Sequence, residues 1–228
     1  MISYKNITIL GTSHIAIESV KEVESLIKEK KPDLVALELD HGRFNALFAK
    51  KRGIHIRDIR KIGVKGFLFN LAGAFFEKKL GKLVNVAPGS EMKKAVETAK
   101  SEGSRIALID QEISVTLGRL SKRLSTREKL NFFIDIVKGA FTKEKIKFDL
   151  SKVPSKDVIK KLTAQVRKRY PSLYYVLVDE RNKYMAKNLY RLMHHYNNIV
   201  AVVGAGHEED LVKEIKKWES SVKERSSI

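Results

Sequence analysis

The sequence predicts an α/β domain built on a mainly parallel sheet. Three observations predict it. Four short apolar runs rich in β-branched residues, Ile7–Leu10, Leu34–Leu39, Ile106–Ile109 and Ile199–Val203, each stop at a glycine or an aspartate. Segments of helical period separate them, and the first strand, helix and strand fit within about 40 residues, the length of a βαβ unit. The 228 residues contain four prolines and no cysteine, so neither a Pro-rich linker nor a disulfide frame divides the chain.

The elements follow in order. Gly11 ends the first strand. Ile17–Lys30 carries apolar residues at 17, 20, 23, 26 and 27, a helical stripe that Pro32 and Asp33 break. Leu34–Leu39 is the second strand and His41–Lys51 reads as a helix. Ser90–Ser101 is a helix with Ser90 as its cap and Met92, Ala95, Val96 and Ala99 on one face. Ile106–Ile109 is the third strand. Residues 113–195 read as mostly helical: Leu117, Leu120 and Leu124 form one stripe, and Ser125 or Thr126 can cap the next helix, which carries Phe132, Phe133, Ile136, Val137 and Ala140. Phe141–Val153 reads as an elbow, Pro154 opens a further helix, and Pro171 opens a last one reaching about Tyr196. Ile199–Val203 is the fourth strand and His207–Lys223 the closing amphipathic helix. The expected architecture is a single domain, 1–228. Its sheet core comes from 1–50, 88–112 and 198–228, with a basic segment at 53–82 and a large helical insertion at 113–196.

Composition removes several function classes. Without cysteine there is no thiol nucleophile, no iron–sulfur cluster and no cysteine zinc site. The net charge of +18 lies in the middle of the chain: residues 50–82 carry ten Lys/Arg against two acids, 119–147 nine against three, and 152–169 seven against one. Charge alone speaks for nucleic acid, and no recognisable nucleic-acid motif accompanies it, so that partner is not expected. The start, MISYKNITIL, is too short and too polar for a signal peptide. Ile62–Phe76 holds 15 residues interrupted by Lys65 and Asn70, short of the roughly 20 a spanning helix needs. Its phenylalanines sit between basic flanks, which fits contact with an anionic membrane surface or a homo-oligomer seam. The expected location is the cytoplasm, with a membrane surface as the second.

Chemistry concentrates at the predicted strand ends. Gly11-Thr12-Ser13-His14 follows the first strand and Gly204-Ala205-Gly206-His207 the last, each a Gly-x-x-His after an apolar run. In open parallel sheets ligands bind outside the carboxyl ends of the strands. Glu38 ends the second strand and Asp110 the third, so four strand ends offer two imidazoles and two carboxylates to one surface. The bland role for Glu38 and Asp110 is capping the helices that follow. His41, His55, His194 and His195 read as structural. Glu180 and Arg181 are adjacent on a helix, about 100° apart, and so are not each other's natural partner.

Six ordered blocks carry a family resemblance: GTSHIAIESV at 11–20, PDLVALELD at 32–40, PGSEMKKAVETA at 88–99, ALIDQEISVTLGR at 107–119, DERNKYMA at 179–186 and VVGAGH at 202–207. On these the chain resembles the TraB/PrgY pheromone-shutdown family, related to the Tiki metalloproteases. The resemblance implies an α/β core similar to that of erythromycin esterase and the ChaN-like proteins. It implies a metal-dependent hydrolase, a peptidase, acting on a peptide or small-molecule substrate through His14, Glu38, Glu180, Arg181 and His207. His14, Glu38 and His207 would hold a divalent Mn, Co, Fe or Zn, with no organic cofactor. Gly11 and Gly204 would let backbone approach the substrate, and Arg119 and Glu91 match further polar positions. The alternative is a protein that sequesters a peptide or small ligand without cleaving it. Archaeal-type relatives continue into membrane helices, so the chain reads either as a free-standing soluble member or as part of a longer protein.

Overall fold

The computed structural model describes residues 1–12, 17–49, 89–141 and 156–226. His14, the basic apolar segment 62–76 and most of the elbow at 141–153 lie outside the described residues.

Among the described residues five strands form one sheet in the order β1-β2-β5-β3-β4: β1 (Ile2–Tyr4), β2 (Ile7–Thr12), β3 (Leu34–Leu37), β4 (Arg105–Leu108) and β5 (Ile199–Gly204). β2, β5, β3 and β4 run parallel, and β1 pairs antiparallel with β2. The four parallel strands are those the apolar runs predict. β1 is additional, because ISY is three residues without an apolar run. It turns into β2 through Lys5, at φ 51°, and gives the edge of β2 a partner.

Parallel strands buried on both faces need apolar residues at odd and even positions alike. β5 shows this. Ile199, Ala201 and Val203 face one core with Ile7, Ile9, Leu34, Met185, Leu189, Leu211 and Ile215. Val200 and Val202 face the other with Val23, Ile27, Val35, Leu37, Met92 and Val96. Helices α1 (Ile17–Lys30) and α3 (Ser90–Ser101) cover this second face. α2 (His41–Phe48) leaves the end of β3 toward it. The first face is covered by α8 (Glu180–Leu192) and α9 (Glu208–Ser226). Within the stretch read as a helical insertion, α8 therefore packs directly on the sheet.

The remaining helices among the described residues are α4 (Ile113–Arg123), α5 (Thr126–Phe141), α6 (Lys156–Arg169) and α7 (Pro171–Tyr174). Pro171 sits in the first turn of α7, where its missing N–H costs nothing. α7 continues into α8 through a π-helical segment, Tyr175–Asp179, so the helix expected from 171 to 196 is interrupted and ends at Leu192. Among the described residues no helix is long and apolar enough to cross a membrane.

Glu128 ties two of these helices together. Ser125 and Glu128 form a capping box: the Ser125 N–H donates to Glu128 Oε2 at 2.9 Å, and the Glu128 N–H donates to Ser125 Oγ at 3.2 Å. The other carboxylate oxygen accepts from the Ser172 N–H at 2.7 Å, capping α7 as well. Burial pushes this carboxyl up, but the amide and hydroxyl donors outweigh burial and hold it at about 2. Its contribution is therefore complete above the ordinary value of 4.5 and is lost as pH falls toward about 2. Glu128→Ala is expected to cost about 1–2 kcal/mol at neutral pH, two caps being lost together. Thermal melts at pH 7 and pH 2.5 should show the variant's deficit shrinking at the lower pH.

Candidate active site

The parallel register sets the strand ends side by side. Thr12 lies opposite Gly204 and Leu37 opposite Val202, so Glu38 emerges next to the end of β5. The Glu38 N–H still donates to the Val202 carbonyl at 3.1 Å, which holds its backbone in line with the sheet. Its side chain is 4% exposed. Oε2 accepts from the Gly204 N–H at 2.6 Å. Oε1 accepts from Arg181 Nη2 and lies 3.5 Å from His207 Nε2.

Arg181 is the hub. Its Nε and Nη2 donate to Asp110, the closest approach being 2.5 Å, and Nη1 donates to the Leu177 carbonyl at 3.2 Å inside the π-helical segment. One guanidinium thus joins the ends of β3 and β4 to α8. Asp110 also accepts from Arg43 Nη2 and, at 2.8 Å, from the Gln111 N–H. Arg43 in turn is held by Asp40, the N-cap of α2, through a 2.9 Å bond from its N–H and a 2.6 Å bond from its Nε. Asp40, not Glu38, caps the helix. Burial pushes the Glu38 carboxyl up, yet the His207 and Arg181 charges and the Gly204 N–H hold it below its usual range. Asp110 is likewise lowered: burial opposes ionisation, and Arg181 and Arg43 overcome it. Burial disfavours the Arg181 charge, but the Asp110 hydrogen bonds and Glu38 overcome that, so it stays fully protonated.

His207 reaches this network from the turn after β5. The Ala205 N–H donates to the Thr12 carbonyl and the His207 N–H to the Gly204 carbonyl, both at 2.9 Å. The turn packs so tightly on β2 that a Cβ at Gly11 would stand 2.9 Å from Ala205 Cα. The Gly11 N–H donates to Glu208 Oε1 at 3.1 Å, which ties α9 to β2. The imidazole is 2.6 Å from Asn182 Oδ1 through Nδ1. An amide oxygen accepts only, so Nδ1 carries the proton in this arrangement. Asn182 was missed in the sequence. It follows Arg181 in the DERN block, but nothing in that block says which face of the helix it takes.

The structure brings Glu38, Arg181, Asp110 and His207 together, with Gly11 and Gly204 in the ends of β2 and β5 beside them. Glu180 stands apart, with Oε2 3.4 Å from Arg119 and Oε1 3.9 Å from Arg123 on α4. Glu91 is buried in the first turn of α3. His14 lies outside the described residues. Among the described residues no three His, Asp or Glu form a metal-holding group.

A mainly parallel α/β sheet carrying a buried Arg–carboxylate network and a clamped histidine at its carboxyl edge is a protein with one polar site at its strand ends. The chain belongs to the TraB/PrgY/gumN family, whose profile matches residues 3–222. It is 37% identical over 221 residues to an uncharacterized protein of Methanocaldococcus jannaschii, covering 94% of this chain and 54% of that protein. It is 26% identical over 191 residues to a TraB domain-containing protein of Bos taurus, covering 78% of this chain and 50% of that protein. A TraB domain-containing protein of Homo sapiens is 25% identical over a stretch of the same length. The chain spans about half the length of these relatives.

Proposed function

We propose that this chain is a hydrolase, most simply a peptidase, whose active site is the carboxyl edge of the sheet. The carrying observation is the clamped imidazole: Asn182 Oδ1 holds it through Nδ1, and Nε2 faces Glu38 Oε1, where a proton shared with the carboxylate or a metal ion between the two would sit.

The donor set fits a divalent ion. Imidazole nitrogen and carboxylate oxygen suit Mn, Fe, Co or Zn. Two ligands at about 2.0–2.2 Å from one ion stand about 3–3.5 Å apart, and the separation of His207 Nε2 from Glu38 Oε1 is 3.5 Å. His207 and Glu38 would hold it, with His14 as the third ligand. When bound, such an ion lowers the pKa of its water and polarises a carbonyl. The chain's own residues do the rest. Arg181 has its donors engaged by Glu38, Asp110 and a backbone carbonyl, so it positions and neutralises Glu38. Asn182 holds the imidazole orientation. Glu180, paired with Arg119 and Arg123, stays at the margin of this scheme.

The test is hydrolysis of a defined peptide panel, scored by mass spectrometry with added Mn²⁺ or Zn²⁺ and with chelator. His207→Ala and His14→Ala are each expected to lower turnover about 10²–10⁴-fold, and chelation to abolish it. Variants that cleave like the parent would sink the reading. Intact peptide held at stoichiometric occupancy would replace it with sequestration.

A further inference from the structure

Beside His207, two adjoining cavities of about 270 Å³ each share Arg167, Asp210 and Lys213. The first opens on Ala205 and Gly206, the turn that carries His207. The second is lined by Asn182 and Lys183. Together they form a polar groove leading away from the candidate site.

Two features of this groove are unexplained by the fold. Asn182 is 2% exposed, and its Nδ2 has no hydrogen-bond partner among the described residues. Its oxygen is committed to His207. A buried N–H₂ without an acceptor costs about 1–3 kcal/mol, so such groups usually meet a partner in the working molecule. Rotating the amide by 180° does not help, since it only exchanges which atom is orphaned. The second feature is charge. Lys213 pairs with Asp210 at 2.8 Å, Lys217 with Glu214 at 2.6 Å and Arg167 with Asp179 at 3.4 Å. Lys183 has no ion pair among the described residues, its ammonium resting 5.6 Å from the Tyr175 ring centre. The lining of the second cavity therefore includes one surplus positive charge and one orphaned donor.

We propose that this end of the groove binds a carboxylate of the ligand, with Asn182 Nδ2 and Lys183 as its donors. It rests on the reading of the carboxyl edge as the active site and names the ligand's chemical class: a small molecule or peptide bearing a free carboxylate. Asn182 then serves two groups at once, orienting His207 through its oxygen and meeting the ligand through its nitrogen. Only the lysine distinguishes a carboxylate from a neutral carbonyl.

The experiment is calorimetric titration of the chain with acetyl-trialanine as the free acid and as the C-terminal amide, and with inorganic phosphate as competitor. The same samples are scored for cleavage by mass spectrometry, so binding preference and hydrolysis fail separately. The free acid is expected to bind about tenfold more tightly than the amide, the worth of one charge-assisted hydrogen bond. Lys183→Met, a change at an exposed position, is expected to lower free-acid affinity about tenfold and so to erase that preference. Asn182→Leu is expected to weaken both peptides. Equal affinities, no binding of either peptide, a preference that survives Lys183→Met, or phosphate displacing the free acid at equal concentration would each overturn the proposal.

Discussion

Arg181→Leu is expected to cost about 3–5 kcal/mol of stability, the largest effect of any single substitution at the carboxyl edge. Glu38 and Asp110 are 4% and 5% exposed, and Arg181 bonds to both. Without it, Glu38 keeps the Gly204 N–H and the imidazole, and Asp110 keeps Arg43 and the Gln111 N–H. Two buried carboxylates would then share less positive charge than they need. The sign of the pH dependence follows. In the wild type both carboxyls are held below their ordinary values, so their contribution is present above about pH 4.5 and is lost as pH falls. In the variant the destabilisation should shrink on acidification, because protonation removes the uncompensated charge. Denaturant melts at pH 7.5 and pH 4.5 measure this. A variant as stable as the parent at pH 7.5, or one whose deficit grows on acidification, would show that Arg181 does not neutralise the pair. Replacing Arg181, Glu38 and Asp110 together by apolar residues should recover much of the loss, as complete removal of a buried ionic set commonly does.

Gly11→Val is expected to cost about 1–3 kcal/mol, a fall of roughly 2–4 °C in Tm per kcal/mol for a chain of this size. Gly11 lies in β2, in a conformation open to any residue. What excludes a side chain is proximity: a Cβ would stand 2.9 Å from Ala205 Cα, a backbone atom, and 3.1 Å from Glu208 Cδ. The Glu208 side chain can yield, but Ala205 can move only with the turn that carries His207. Gly11→Val should therefore lower turnover together with Tm, whereas Glu128→Ala, whose bonds go to Ser125 and Ser172, should lower Tm alone. Equal activity per folded molecule in Gly11→Val and the parent would separate the turn from the site.

The order of strands along the chain was legible because strands buried on both faces leave uninterrupted apolar runs, as Leu34–Leu37 and Ile199–Gly204 do. β1 was not, since a three-residue edge strand beginning at Ile2 has no run to read. The strand ends were legible in the same way, and with them Glu38, Asp110 and the turn to His207. Their mutual wiring was not. Nothing in adjacent Glu180 and Arg181 tells which faces the sheet; the packing of α8 and its π-helical entry decide that. Arg181 turns to Asp110 and Glu38 at the strand ends, and Glu180 to Arg119 on α4. Asp40 illustrates a signal available yet unread: an aspartate directly before a helical segment is an N-cap pattern.

Among the described strands, the last to leave the ribosome lies inside the parallel sheet. β5 pairs with β2 on one side and β3 on the other, while β2 and β3 have no ladder between them. Without β5 no ladder joins the pair β1-β2 to the pair β3-β4. Closure spans some 190 residues between Ile7 and Ile199, a long-range pairing of the kind that slows folding and leaves strand edges exposed meanwhile. The carboxyl edge inherits the same timing. Glu38 waits for the Gly204 N–H and for His207, so whatever chemistry the site performs arises only in the completed sheet and never on a nascent fragment.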